Sequence, residues 1–272
     1  MGVCIFCGGK AGLFRKEHRE CRARYNEGKS QIVDIVSSSV GGDTDYARIT
    51  SDIQEIASEC CISEDQIDQL IKNGGNKAVD AAFEDDFLSK QEEEDLIRFM
   101  DHFSLKQDNF NGFTRIVKGA ILREVMEGTL PNRMKFVDIP FNLMKSEQLV
   151  YAFNDVDYYE QKTKREYVGG SKGVSVRVAK GVYFRTSSFR GHPIERTETI
   201  HTDTGVMGIT NKHIYFFGPH KQFRVKYDKI IAFTPYTDGI GLQRDAATAK
   251  PQTFSTGDGW FTYNLIVNLS QM

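Results

Sequence analysis

The stretch 204-TGVMGITNKHIYFFGPHKQFRVKYDKIIAF-233 sets the architecture of the second half of the chain. Short runs of β-branched and aromatic residues alternate with turn residues, a pattern typical of antiparallel strands joined by short connections. We predict strands at residues 206–210, 213–217 and 223–227, followed by a fourth run at 230–233. A meander of this kind curls readily into a small barrel or sandwich.

Strand-like periodicity extends back from this stretch to about Lys135. After it, residues 236–260 are rich in glycine and polar side chains, which predicts a long loop between two core strands. Its charged residues form either an ion-paired loop or a ligand pocket: Asp238, Arg244, Asp245 and Asp258. A closing helix is predicted from about Trp260, with four apolar side chains on its inner face: Trp260, Phe261, Leu265 and Leu269.

The order of these runs is similar to that of GRAM and bacterial pleckstrin-homology-like (PH-like) domains. It comprises a small apolar strand, a Thr-Asn turn, a His-Ile-Tyr-Phe strand, a basic and aromatic strand, and Tyr-Asp-Lys-Ile-Ile. The resemblance implies a bent seven-stranded sheet closed at one end by a C-terminal helix. It also implies binding of phosphoinositides, anionic membranes or protein partners, but it transfers no lipid-contacting residue to this chain.

The first 28 residues, MGVCIFCGGKAGLFRKEHRECRARYNEG, carry two pairs of soft-metal ligands. Cys4 and Cys7 form a C-x2-C pair followed by two glycines that permit a tight turn, and His18 and Cys21 are three apart in a helix-forming stretch. A closed Cys3His set predicts structural zinc, because a catalytic zinc keeps one position for water. The alternative is that these are buried thiols and a surface histidine. The pattern resembles treble-clef or zinc-ribbon knuckles.

Residues 29–130 follow a helical period. We predict that the knuckle helix stops at Gly41-Gly42 and that a later helix begins at Ser63, where Gln66 completes a capping box. That helix is predicted to stop at Asn73-Gly74-Gly75.

Three more helices are predicted before the strands begin. The first is closed by Ala82 and Phe83, and Ser89 caps the second; residues 77–105, which contain both, are similar to the helical hairpin of tellurite-resistance TerB-like domains. Residues 113–128 form the third. Its inward-facing residues are predicted to be Ile116, Ile121, Leu122, Val125 and Met126. Pro131 then marks the change to a strand period.

Positive charge is concentrated between Gln161 and Gly191, where eight basic residues accompany one acidic residue. Such a surface attracts phosphates on lipid, on nucleic acid or on an acidic protein face. The alternative is that these side chains prevent edge-to-edge strand pairing. The residues predicted to make binding contacts are Lys172, Arg177, Lys180, Arg185 and Arg190.

The 272-residue chain has a net charge of -2 and five cysteines, a composition that favours a folded protein in a reducing compartment. We find neither the basic-then-apolar pattern of a signal peptide nor an apolar run of about 18 residues, so we predict a cytoplasmic protein without a transmembrane segment. The fold class is α+β. Three domains are predicted: a zinc knuckle at 1–28, a helical domain at 29–130 and a PH/GRAM-like β domain at 131–272.

No nucleophile-elbow, zinc-protease, phosphate-loop or dinucleotide motif accompanies the histidines of the second half. His201-Thr202-Asp203 and His213 are the residues that could pair with carboxylates for hydrolase or nuclease chemistry. We therefore expect a non-catalytic, zinc-containing adaptor that recognises a protein partner or an anionic surface through its β domain. The alternative is a nucleic-acid-binding protein that uses the zinc module and the basic strand.

Overall fold

The computed structural model describes residues 2–135, 138–168, 171–179, 182–189, 192–246 and 248–272, with side chains described outside 163–196. The chain forms two compact units, Met1–Arg133 and Met134–Met272. The first contains a short two-stranded sheet and five helices. The second is built on an antiparallel sheet with one helix at its C-terminal end.

The helices of the first unit pack around one apolar core. The strands are β1 (Gly2–Val3) and β2 (Lys10–Gly12), and the helices are α1 (Arg19–Ser38), α2 (Tyr46–Cys60), α3 (Glu64–Ala82), α4 (Lys90–His102) and α5 (Gly112–Met126). Ile32 and Val36 from α1 and Leu96 and Phe99 from α4 are almost fully buried. Burial of such side chains is the main stabilising contribution to this unit.

Two helix starts confirm the predicted capping residues Ser63 and Ser89, and both form capping boxes. At α4, the N–H of Glu92 donates to Ser89 Oγ at 3.2 Å, and the N–H of Ser89 donates to Glu92 Oε2 at 2.9 Å. At α3, the N–H of Ser63 donates to Gln66 Oε1 at 3.1 Å. These bonds satisfy N–H groups that the first helical turn leaves without partners.

The predicted stop at Asn73-Gly74-Gly75 is wrong, because α3 continues without a break to Ala82. The glycines serve close packing instead. A Cβ atom at Gly74 would lie 2.5 Å from Val36 Cγ1 on α1, and one at Gly75 would lie 2.9 Å from Phe99 Cε1 on α4. Glycine lowers helix propensity, but here it lets neighbouring helices approach more closely than any larger residue would allow.

The second unit is built on a seven-stranded sheet in the order β8-β7-β6-β3-β11-β10-β9, with antiparallel pairing throughout. Its strands are β3 (Leu149–Val168), β6 (His192–Thr210), β7 (His213–Phe217), β8 (Gln222–Lys226), β9 (Ile230–Pro235), β10 (Gly239–Arg244) and β11 (Gln252–Ser255). A hairpin of β4 (Ser171–Ala179) and β5 (Val182–Phe189) forms a separate two-stranded sheet. The sheet is a half-barrel, and α6 (Gly259–Leu269) packs against β9 and β10 to close it.

The strands predicted from residues 204–233 are confirmed, whereas the long loop predicted at 236–260 is wrong. That stretch contains β10 and β11. Ile240, Leu242 and Phe254 are almost fully buried, and Ile240 pairs in register with Phe254. Alternation of glycine with buried residues in β10 concealed the strand period, because glycine contributes no side chain to either face.

Two inward-facing predictions are also wrong. Met126 at the end of α5 is 53% exposed, and Trp260 in the first turn of α6 is 47% exposed. The other three predicted inner residues of α6, namely Phe261, Leu265 and Leu269, are buried, and the Phe261 ring packs against Tyr151 with 4.9 Å between ring centroids. Both errors fall at a helix end, where one face is no longer covered by a neighbouring element.

The predicted fold class is confirmed as α+β, with a small cysteine-rich knuckle, helices and a curled antiparallel sheet closed by a C-terminal helix. Among the helices that the structure describes, none combines the length and apolar character needed to span a bilayer.

Candidate metal centre

The backbone of residues 2–12 folds into a tight turn around the first cysteine pair. β1 pairs with β2, the N–H of Cys4 donates to the Gly9 carbonyl at 2.8 Å, and the N–H of Gly8 donates to the Cys4 carbonyl at 2.9 Å. Gly8 has φ +69°, a left-handed conformation that glycine adopts at little cost. The turn therefore brings the side chains of Cys4 and Cys7 to one point.

The start of α1 supplies the other two side chains. His18 is the N-cap residue, and Cys21 lies in the first turn of the helix. The ligand atoms of Cys4, Cys7, His18 and Cys21 all lie within 4.8 Å of one another. His18 Nδ1 is 3.3 Å from Cys7 Sγ and 3.6 Å from Cys21 Sγ. Thiolate sulfurs bound at ~2.3 Å to a tetrahedral zinc ion lie roughly 3.8 Å apart, so the four residues are positioned to bind one metal ion.

The orientation of the His18 ring determines which nitrogen faces the cysteines. Nε2 lies 3.0 Å from the carbonyl oxygen of Lys10, which can only accept a hydrogen bond, so Nε2 carries the proton. Nδ1 then presents its lone pair to the thiol cluster. Metal-binding histidines commonly donate their other N–H to a carbonyl or carboxylate in this way. The sequence contains no signal for the Lys10 contact, because it depends on a backbone atom.

Electrostatics at the cluster favour ionisation of Cys4. Burial opposes the thiolate, but hydrogen bonds from the N–H groups of Cys7, His18 and Phe6 lower the pKa of Cys4 to about 6. Burial raises the pKa of Cys21, and the hydrogen bond to the Lys10 carbonyl raises the pKa of His18. A thiolate is the form that binds metal, and a bound cation would favour ionisation of the remaining thiols as well.

The cluster is joined to the helical core through aromatic residues. Cys4, Cys21 and Ala11 form a small buried cluster against which Phe6 packs. The Phe6 and Tyr25 rings lie 4.7 Å apart between centroids, and the Tyr25 hydroxyl accepts a 2.7 Å hydrogen bond from Gln66 Nε2 on α3. The sequence interpretation missed this link, because the two aromatic residues lie outside the ligand pattern.

The chain therefore combines an α+β scaffold with a cysteine-rich knuckle in which three cysteines and one histidine are positioned to bind a metal ion. The chain matches no protein-family model, no curated protein and no solved structure.

The residues predicted to contact an anionic partner fall where little is described. Lys180 and Arg190 lie outside the described residues. Lys172, Arg177 and Arg185 belong to β4 and β5, whose backbones pair in register, but their side chains lie outside the described part. Their role in binding stays a prediction.

Two histidines of the second unit, His213 and His201, pair with carboxylates. His213 Nδ1 lies 2.8 Å from Glu147 Oε1, with both side chains buried, and His201 Nε2 lies 3.1 Å from Asp157 Oδ1 at an exposed position. Asp203 accepts hydrogen bonds from the backbone N–H groups of His220 and Lys221, so it holds the turn between β7 and β8. These arrangements stabilise strands and turns.

Two of the four charged residues singled out at 236–260, Asp258 and Asp238, have structural contacts. Asp258 caps α6 by accepting from the N–H of Phe261 at 3.1 Å, and Asp238 accepts from Ser255 Oγ at 2.8 Å. Asp238 also lines an open depression of about 540 Å³ on the sheet, together with Tyr159 and Tyr236.

Proposed function

We propose that this protein is a non-catalytic binding protein whose N-terminal knuckle is held by one structural zinc ion. The carrying observation is the convergence of Cys4, Cys7, His18 and Cys21 within 4.8 Å. Three sulfurs and one imidazole nitrogen complete a tetrahedral shell, whereas catalytic zinc sites have three protein ligands and an open position. Zinc binding would then contribute directly to folding of residues 2–21, where the only regular structure is two short strands and the start of α1.

The binding role is carried by the architecture of the second unit and its resemblance to PH-like and GRAM domains. Domains of that type bind phosphoinositides, anionic membranes or protein partners. The basic residues of the 161–191 region, including Arg177 and Arg185, are the proposed contacts. The similarity of residues 77–105 to TerB-like hairpins adds no functional residue.

Cobalt substitution tests the proposed zinc chemistry. We expect Co²⁺ in the full-length protein to give an absorption spectrum with intense d–d bands of four-coordinate geometry and thiolate charge-transfer bands. Addition of azide should leave the spectrum unchanged, because no coordination position is open. A five-coordinate spectrum that shifts with azide would contradict a purely structural site. Zinc should displace the cobalt and remove the visible bands.

Charge reversal tests the proposed contact surface. If the 161–191 region binds an acidic partner or surface, Arg177→Glu combined with Arg185→Glu should weaken that binding and reduce its dependence on salt. The matched control is charge reversal at Arg48 and Lys90, two exposed basic residues of the first unit. Equal binding by the reversed variant and the wild type would remove this region from the proposal.

A further inference from the structure

The knuckle exposes apolar side chains that a folded protein normally buries. Ile5 is 69% exposed, Leu13 is 71% exposed and Phe14 is 96% exposed. Leu13 and Phe14 form the turn that follows β2, and Ile5 is joined to the same region because its N–H donates to the Lys16 carbonyl at 2.9 Å. Large apolar residues clustered at a surface mark an interaction site.

Phe14 also has an unusual backbone conformation. Its φ of 63° lies in the left-handed region, which a bulky side chain rarely adopts and which Asn or Gly would adopt more readily. Neither the conformation nor the exposure of Phe14 stabilises the knuckle. An aromatic residue at this position is therefore better explained by a contact outside the fold.

A basic cavity of about 650 Å³, widely open to solvent, adjoins this turn. It is lined by Ile5, Arg15, Lys16, Glu17, Arg19 and Arg22. Glu17 is the one carboxylate in this lining, and it pairs with Arg22 Nη1 at 2.6 Å. For Arg15, Lys16 and Arg19, no carboxylate of the described structure lies within ion-pair distance, and all three are exposed.

Residues 1–28 carry more positive charge than their own carboxylates can neutralise. Residues 1–28 contain six Lys and Arg against three Glu, although the whole chain has a net charge of -2. Arg19 begins α1, so the partial positive charge of the helix N-terminus adds to that of the side chains. These positive charges repel one another, and an anionic group in the cavity would offset their repulsion.

We propose that the knuckle docks on the surface of an anionic lipid bilayer, with phosphate headgroups in the basic cavity and Leu13 and Phe14 inserted among the acyl chains. This inference rests on the proposed zinc-dependent fold of the knuckle and deepens it by naming the partner. The cationic side chains match the anionic headgroup layer of such a bilayer, and the exposed apolar side chains beside them match its acyl chains. A nucleic acid would use the cations and stack on Phe14, but it would leave Leu13 and Ile5 in water.

Vesicle sedimentation tests this docking with the full-length protein. The probes are phosphatidylcholine vesicles with and without about one quarter phosphatidylserine, at low and high salt. The variant Phe14→Asn removes the apolar side chain and suits the left-handed backbone, so the knuckle should still fold. Arg15→Gln with Lys16→Gln removes cavity charge. Met126→Gln, at an exposed apolar position on α5, is the matched control.

We expect the wild type to bind only the anionic vesicles, with binding that weakens as salt increases. Phe14→Asn should reduce the partition coefficient about tenfold, and the double Arg15 and Lys16 variant about tenfold or more, whereas the control should bind like the wild type. Zinc content, measured on the same samples, should be equal in all of them.

Three results would overturn the docking. In the first, wild-type protein contains zinc but does not sediment with anionic vesicles. In the second, the Phe14→Asn variant binds these vesicles as well as the wild type does. In the third, the wild type binds a single-stranded oligonucleotide and not the vesicles. Vesicle binding that is lost only in the Arg177→Glu and Arg185→Glu variant would likewise assign the contact to the second unit. Zinc-free wild type that binds vesicles through Phe14 would contradict the proposed zinc site and leave the docking intact.

Discussion

Replacing Glu147 with glutamine should destabilise the second unit by about 3 kcal/mol. The Glu147 side chain is fully buried and accepts four hydrogen bonds. Thr210 Oγ1 donates at 2.5 Å, Tyr215 Oη at 2.7 Å, His213 Nδ1 at 2.8 Å and the backbone N–H of Met144 at 3.0 Å. These contacts join residues 144–147 to β6 and β7. Glutamine keeps the shape, but it removes the charge and turns an NH₂ group toward these donors.

Two routes give this magnitude. A hydrogen bond to a charged group is worth about 1.5–3 kcal/mol, and the glutamine leaves at least one donor without an acceptor. Independently, burial opposes ionisation of Glu147, but hydrogen bonds from Thr210, Tyr215, Met144 and His213 lower its pKa from 4.5 to about 2. Each pKa unit corresponds to about 1.4 kcal/mol, so the change from 4.5 to about 2 corresponds to about 3.5 kcal/mol, close to the hydrogen-bond figure.

The pH dependence follows from the direction of this pKa change. A depressed pKa in the folded state stabilises the protein above the ordinary value of 4.5, and the contribution is lost as pH falls toward about 2. The stability difference between wild type and Glu147→Gln should therefore be constant near neutral pH and shrink over that acid range.

Urea unfolding followed by the fluorescence of Trp260 measures this difference, because Trp260 is the only tryptophan and lies in the second unit. In a thermal unfolding experiment with the same probe, a loss of about 3 kcal/mol should lower Tm by ~10 °C for a unit of this size. Asp245→Asn, an exposed carboxylate in the same unit, is the control and should stay within about 0.5 kcal/mol of wild type. A Glu147→Gln variant as stable as wild type at neutral pH, or a difference that grows in acid, would refute the reasoning.

The remaining predictions concern the helical unit, with stability followed by far-ultraviolet circular dichroism. Gly74→Ala should lose about 1–3 kcal/mol despite the better helix propensity of alanine, because its Cβ would overlap Val36; equal or higher stability would contradict this. Arg123→Met should lose about 2–3 kcal/mol, because the buried Glu93 carboxylate loses its partner on α5 and keeps its contact with Arg133; a loss below about 1 kcal/mol would count against it. Asp68→Ala, at an exposed position on α3, is the control for both and should be near neutral.

The sequence predicted the elements whose structure is determined by residues close to one another along the chain. The capping residues Ser63 and Ser89 could be predicted because a cap is a local contact between residues three positions apart. The strands at 206–233 were readable because apolar runs and turn residues alternate without interruption.

The errors arose where contacts between residues far apart in the sequence determine the structure. Gly74 signals a helix end by itself, yet its place opposite Val36 makes it a packing residue. The β10 strand has glycine at 239 and 241, so its period becomes visible only once Ile240 is paired with Phe254. Trp260 was assigned inward by its apolar character alone.

For the candidate site, spacing predicted which residues converge, because two short pairs on a turn and on a helix start have few ways to meet. The ring orientation set by the Lys10 carbonyl and the exposure of Phe14 could not be predicted, since both depend on backbone geometry. The division into three domains and the contact role of the basic residues at 172–190 stay predictions.

The zinc content of the purified full-length chain, measured by mass spectrometry of the metal, tests the central claim most directly. We predict an equimolar amount of zinc in the wild type and a large loss in Cys7→Ser, whereas Cys61→Ser, an exposed cysteine outside the cluster, should retain it. Wild-type protein without bound metal after purification in zinc-containing buffer, or equal zinc in both variants, would contradict the account.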